Sequence, residues 1–118
     1  MIFYTNHFIP KGSAACVRIL LIPITLIRPE YKDDKGIHAH EQKHVDQAWE
    51  SVIPILHGLR YRLSKAYRLA CEVEAYREQL RVNALNGVQD YTLTYAGFIA
   101  NDYNLSISIA DACQLLKA

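Results

Sequence analysis

Within this chain of 118 residues, His40-Glu41-Gln42-Lys43-His44 sets two imidazoles four positions apart, with a carboxylate directly after the first. On an α-helix, positions i and i+4 lie one turn apart on the same face, so His40 and His44 project together. Two imidazole nitrogens so placed can each reach one Zn²⁺ at about 2.0–2.1 Å. A divalent metal raises the acidity of a water it holds, and Glu41 stands where it can take that proton. An H-E-x-x-H spacing thus brings a Lewis acid, a nucleophile and a base within two turns of helix, the equipment for metal-assisted hydrolysis of a peptide bond. Five histidines is a high count for this length, and three of them (His38, His40 and His44) fall within seven residues.

Two histidines leave a catalytic zinc needing a third protein ligand and an open position for water. After His44 the next histidine is His57, which does not complete an H-E-x-x-H-x-x-G-x-x-H pattern. A carboxylate on a later helix is the remaining source. Glu72 follows His44 by 28 residues (72 − 44), enough for one connection and an antiparallel return. It sits among apolar residues, one turn after Leu69 and one turn before Tyr76, where a carboxylate needs a cation or donors. Glu74 is the rival, and the two point about 200° apart on a helix, so only one of them can face a common centre.

Cys71-Glu72-Val73-Glu74-Ala75-Tyr76, coming after H-E-x-x-H, resembles the gluzincin zinc peptidases. In that family a glutamate on a second helix completes the metal site, often within E-x-x-A-D. The resemblance implies Glu72 as the metal glutamate and Ala75 as the small residue that lets two helices approach. Tyr76 stands where the family has an aspartate, which holds a ligand histidine by its second nitrogen; a tyrosine hydroxyl would accept that hydrogen bond more weakly. Residues 37–80 as a whole are similar to a group of short zinc peptidases of phages and bacteria. The resemblance implies a minimal zincin-like domain spanning residues 1–118, one Zn²⁺ per chain held by His40, His44 and Glu72, Glu41 as general base, and a peptide or protein substrate.

Composition sets the frame for these residues. The chain is 51% hydrophobic and 21% charged, as in globular proteins, and its length suits one core. A net charge of +1 provides no overall field for nucleic acid or for an anionic membrane. Arg60, Arg62, Lys65, Arg68 and Arg77 are basic and interleaved with tyrosines, which reads as a solvated helix face. Cys16, Cys71 and Cys113 are far apart and in no C-x-x-C pair, as in reduced thiols of a cytoplasmic protein. The amino terminus lacks the basic start of a signal peptide. The most apolar run, residues 17–27, contains Arg18 and Pro23 and falls short of the roughly 20 residues a membrane span needs.

The elements expected to position these groups form an α+β fold, with a small N-terminal antiparallel sheet followed only by helices. Residues 2–9 are aromatic and β-branched and read as a strand; residues 10–13 read as a turn. Residues 15–27 read as one bent strand or two short ones, with Pro23 at an edge or a break. The motif helix should begin near Ile37 or His38 and run to Ser51 or Val52, with Val45, Ala48, Trp49 and Val52 as its apolar stripe. Pro54 ends or kinks it, and a short helix weakened by Gly58 is expected through Leu63, with His57 at its surface. A long helix from Ser64 to Leu85 is capped by Ser64 and stopped at Asn86-Gly87. Two shorter helices follow, over about 93–101 and after Ser106 or Ser108.

Three functions compete at this level. The first is a zinc peptidase in which Tyr61, Tyr67, Tyr76 or His38 supplies the extra donor for the oxyanion or orients a ligand. The second is a zinc-binding accessory protein without turnover, its metal closed by four protein ligands. The third is a metal-free helical interaction module built on Tyr61, Tyr67, Tyr76, Tyr91, Tyr95 and Tyr103.

Overall fold

The computed structural model describes residues 1–118. Three short strands, β1 (Ile2–Tyr4), β2 (Ala15–Ile19) and β3 (Pro23–Ile27), precede five helices: α1 (Lys35–Glu50), α2 (Pro54–Leu63), α3 (Lys65–Leu85), α4 (Thr92–Asp102) and α5 (Ile109–Lys117). The fold is therefore α+β. The sheet corrects the expectation of an all-antiparallel arrangement, because its order is β1-β3-β2 and β1 pairs with β3 in parallel. Only β2 and β3 form an antiparallel pair, with Val17 opposite Thr25. The reason lies in composition: β3 is the most apolar strand, buried at Pro23, Thr25, Leu26 and Ile27, and it takes the central place. Pro23 lacks a donor and stands at the first position of that strand, where a proline is tolerated.

The first strand also ends sooner than its sequence suggests. Beyond Tyr4 the chain leaves the ladder, and Phe8 takes a left-handed φ of 65°. The connection to β2 must cross the end of β3, and Arg28 fastens it there. Its Nε donates to the Ser13 carbonyl at 2.6 Å, and Nη2 donates to that of Pro10 at 3.2 Å. Arg18 fastens the same loop from β2, donating from Nη2 to the Phe8 carbonyl at 2.8 Å.

Local signals set the helix ends. The Asp34 carboxylate accepts from the Ile37 N–H and caps α1. Ser64 accepts from the Tyr67 N–H, and Gly87 at φ 72° follows the end of α3. Ser108 accepts from the Asp111 N–H at the start of α5.

The principal core lies among α3, α4 and α5, where Tyr76, Tyr95, Ala96, Ile99, Leu105, Ala112 and Leu116 cluster. Leu69, Val73 and Leu80 pack against it, as the spacing on α3 predicts. Helices α1 and α3 run antiparallel and close together. Gly36 of α1 meets Asn83 near the end of α3, and Gln47 near the end of α1 meets Cys71. A Cβ on residue 36 would fall 2.1 Å from Asn83 Oδ1, so any other residue there must displace the Asn83 side chain from its place against α1. The fully buried Ala48 and Ala75 keep the remainder of the two helices close.

The expected apolar stripe of α1 is not the face it buries. Of Val45, Ala48, Trp49 and Val52 only Ala48 is buried, while Trp49 and Val52 stay exposed. The buried face of α1 carries His40, Glu41, His44 and Gln47. A polar face turned inward requires partners, and α3 supplies them.

Candidate metal centre

Helix α1 presents His40 and His44 from successive turns, and α3 presents Glu72 opposite them. His40 Nε2 lies 3.2 Å from His44 Nε2. Glu72 Oε1 lies 3.4 Å from His40 Nε2, and its Oε2 lies 3.2 Å from His44 Nε2. Ligands at about 2.0–2.1 Å in a tetrahedron are separated by about 3.3–3.4 Å. The two imidazole nitrogens stand at about that spacing, each faced by a different oxygen of Glu72, and one ligand atom from each of the three residues lies within 4.8 Å of the others, so this is the group in the chain that could hold a metal. Glu74 points outward, so of the two glutamates it is Glu72 that meets the histidines.

The fit of the residues to a divalent ion rests on what they lack. Glu72 is only 1% exposed, and its Oε1 has no hydrogen-bond donor. Two imidazole nitrogens facing each other also need a proton or a cation between them. Burial pushes the His44 imidazolium down, but the Glu72 carboxylate outweighs this and raises its pKa to about 9. Burial likewise pushes Glu72 up, and the His44 and His40 charges reverse it, holding the carboxyl well below the usual range. Protons can therefore hold the centre together without metal, while Zn²⁺ would serve all three donors at once.

The supports of these ligands were only partly visible in the sequence. Gln47 Oε1 accepts from His44 Nδ1 at 2.9 Å, which leaves Nε2 facing His40 and Glu72. Gln47 Nε2 in turn donates to the Cys71 carbonyl and to Glu74 Oε1, both at 3.1 Å. Sequence reasoning missed Gln47, although its place three residues after His44 puts it on the same face. Removing this support in Gln47→Ala should weaken zinc binding by about 10–100-fold, measured by competition with a chromophoric chelator.

Tyr76, at the position that gluzincins fill with an aspartate, does not reach either histidine through its hydroxyl. Its ring packs edge-on against His40 at 4.3 Å, and its hydroxyl pairs with that of Tyr103 at 2.7 Å. His40 Nδ1 is accordingly buried without a partner. Tyr61 projects from α2 and donates its hydroxyl to Glu72 Oε2. Tyr67 lies further out, 2.8 Å from His57 Nδ1. His57 is buried, correcting the surface position expected for it, because α2 turns it inward beside Tyr61 and Tyr67. His38 points away from the centre and contacts the Lys32 carbonyl at 2.8 Å.

Glu41 is buried beside the centre, and burial raises its pKa against the opposing pull of His40 and His44. It lines two adjoining cavities of about 760 and 860 Å³ that share His40, Glu41, Asp102 and Tyr103. One runs between β2 and α2; the other runs past the 10–15 loop and Tyr31 toward α4. A groove thus passes over the centre on both sides. Strand β2 forms one wall of it with a free edge. Ala14 accepts from the Arg28 N–H and Thr25 donates to Met1, so along β2 the groups of residues 14, 16 and 18 face β3. By alternation, the N–H and C=O groups of Ala15, Val17 and Ile19 face outward.

Compared with protein-family models, curated proteins and solved structures, the chain matches none. No helix is long and apolar enough to cross a membrane.

Proposed function

We propose that this chain is a zinc-dependent peptidase. The observation that carries the reading is the buried convergence of His40, His44 and Glu72, one ligand atom from each within 4.8 Å of the others, with Glu41 buried beside them at the floor of a groove. Three protein ligands leave the fourth position of a tetrahedral ion open, which supports a hydrolytic site over a closed structural one.

His40, His44 and Glu72 would hold the ion. When bound, Zn²⁺ supplies a Lewis acid that polarises a carbonyl and brings the pKa of a coordinated water to about 7. Glu41, buried beside the centre and lining the groove, takes the proton of the attacking water. The same carboxyl then returns the proton to the departing amine. Gln47 keeps His44 in the tautomer that can bind metal. The outward groups of Ala15, Val17 and Ile19 pair with an extended substrate as an added strand, which holds its backbone along the groove. Tyr61, whose hydroxyl reaches Glu72 and whose side chain lines the groove, is the tyrosine to donate to the carbonyl oxygen as negative charge develops.

The test is cleavage of an unfolded protein such as reduced casein. Zinc-loaded protein should cleave it, a chelator should abolish cleavage, and added zinc should restore it. Full activity after complete metal removal would exclude the reading.

A further inference from the structure

We infer that α2 and the β2–β3 hairpin form a docking face for an anionic lipid surface. Helix α2 is turned inside out. Its inward side carries Pro54, His57 and Tyr61, whereas its aliphatic residues point to solvent. Successive residues are about 100° apart, so Ile55, Leu59, Leu63 and Leu56 form one outward stripe about 100° wide. Leu59 is 49% exposed and Leu63 79% exposed. Arg62 lies on one flank of the stripe and Arg60 on the other, both exposed. An apolar stripe flanked by guanidinium groups suits a helix lying in the plane of a membrane interface, its aliphatic side chains in the acyl region and its cations at the phosphates.

The hairpin extends the face. Gly58 brings α2 against Ile19, where a Cβ would be only 3.4 Å from the Ile19 Cβ. Leu20, the next residue, shares the groove wall with Ile55 and Leu59, and Leu21 at the tip is 82% exposed.

Charge selects the occupant. The cations of the face itself are Arg62 and Arg60, the latter with its guanidinium 4.1 Å from the Tyr67 ring centroid, and no carboxylate lies on α2 or the hairpin. The stripe and the hairpin tip carry aliphatic and guanidinium groups, with no amide or carboxylate side chain to specify a protein partner. An anionic bilayer asks only for apolar depth and positive charge, and this face provides both. Leu20, Ile55, Leu59 and Arg62 also line the groove over the centre, so a docked bilayer lies at the mouth of that groove, and vesicle binding is read apart from cleavage.

The experiment is sedimentation with phosphatidylcholine vesicles, with and without phosphatidylglycerol. The chain should sediment with the mixed vesicles and far less with pure phosphatidylcholine. Arg60→Glu/Arg62→Glu should weaken binding by about fivefold or more per arginine. Leu59→Asp/Leu63→Asp should weaken it by more than about tenfold. Leu93→Asp, an exposed leucine in the acidic part of the chain, should bind as wild type. Far-UV circular dichroism and a cooperative thermal transition establish that each variant is folded. Absence of wild-type binding to the mixed vesicles, or undiminished binding by both double variants, overturns the inference. So does a lipid-free dimer that the leucine variant dissociates without any wild-type binding to vesicles, because the face then joins two copies.

Discussion

Glu41→Gln should retain the metal and lose hydrolysis by about 10²–10⁴-fold, the usual contribution of a positioned base. Glutamine fills the same space and keeps its polar atoms, but it cannot accept and return a proton. Zinc content should stay at the wild-type level, because Glu41 is not one of the three grouped donors. Stripped of metal, the variant should also unfold at the same temperature as metal-free wild type or higher. In the metal-free protein burial raises the Glu41 pKa, so an ionised carboxylate there opposes folding at neutral pH, and a neutral amide removes that penalty. Lost activity with retained metal and equal or greater stability marks a residue kept for chemistry rather than for the fold. Cleavage of casein by the variant at the wild-type rate would assign the base elsewhere.

Glu72→Ala should have the second largest effect, and part of it appears without metal. In the metal-free protein the carboxylate neutralises His44 and accepts from Tyr61. Its removal leaves a cavity, a tyrosine hydroxyl without its acceptor and two facing imidazoles, at a cost of about 3 kcal/mol in chemical denaturation. The loss should depend on pH. His44 has its pKa raised from 6.5 to about 9, so its contribution is fully present below 6.5 and is lost as pH rises through 9. Glu72 has its pKa lowered from 4.5, so its contribution is present above 4.5 and is lost as pH falls well below it. The gap between wild type and variant should therefore be widest between pH 4.5 and 6.5 and shrink toward pH 9. A gap that widens steadily above pH 7 would mean that His44 is not paired with Glu72.

Local chemistry was legible in the sequence wherever a single element decided it. The caps at Ser64 and Ser108, the stop at Asn86-Gly87 and the apolar face of α3 depend on neighbours within one or two turns, and they stand where the residues put them. The two histidines and Glu72 could be matched because each helix fixes which residues share a face. What escaped was set between elements. The parallel pairing of β1 depends on a crossing loop held by Arg28, which has no signature in the sequence. Hydrophobicity normally marks the buried face, which points the apolar residues of α1 toward the core. Here the centre draws the polar face inward and leaves Trp49 and Val52 outside. The same inversion on α2 buries His57 and exposes its leucines. The tyrosine at position 76 belongs to the aromatic cluster with Tyr95 and Tyr103, a role its alignment with the family's aspartate could not reveal.

The most direct measurement is zinc content by elemental mass spectrometry, wild type beside Glu72→Ala, purified identically without added metal. About one zinc per chain in wild type, sharply reduced in the variant, is the expected result. No zinc in wild type even after zinc is offered, or equal zinc in both proteins, would contradict a centre built from His40, His44 and Glu72.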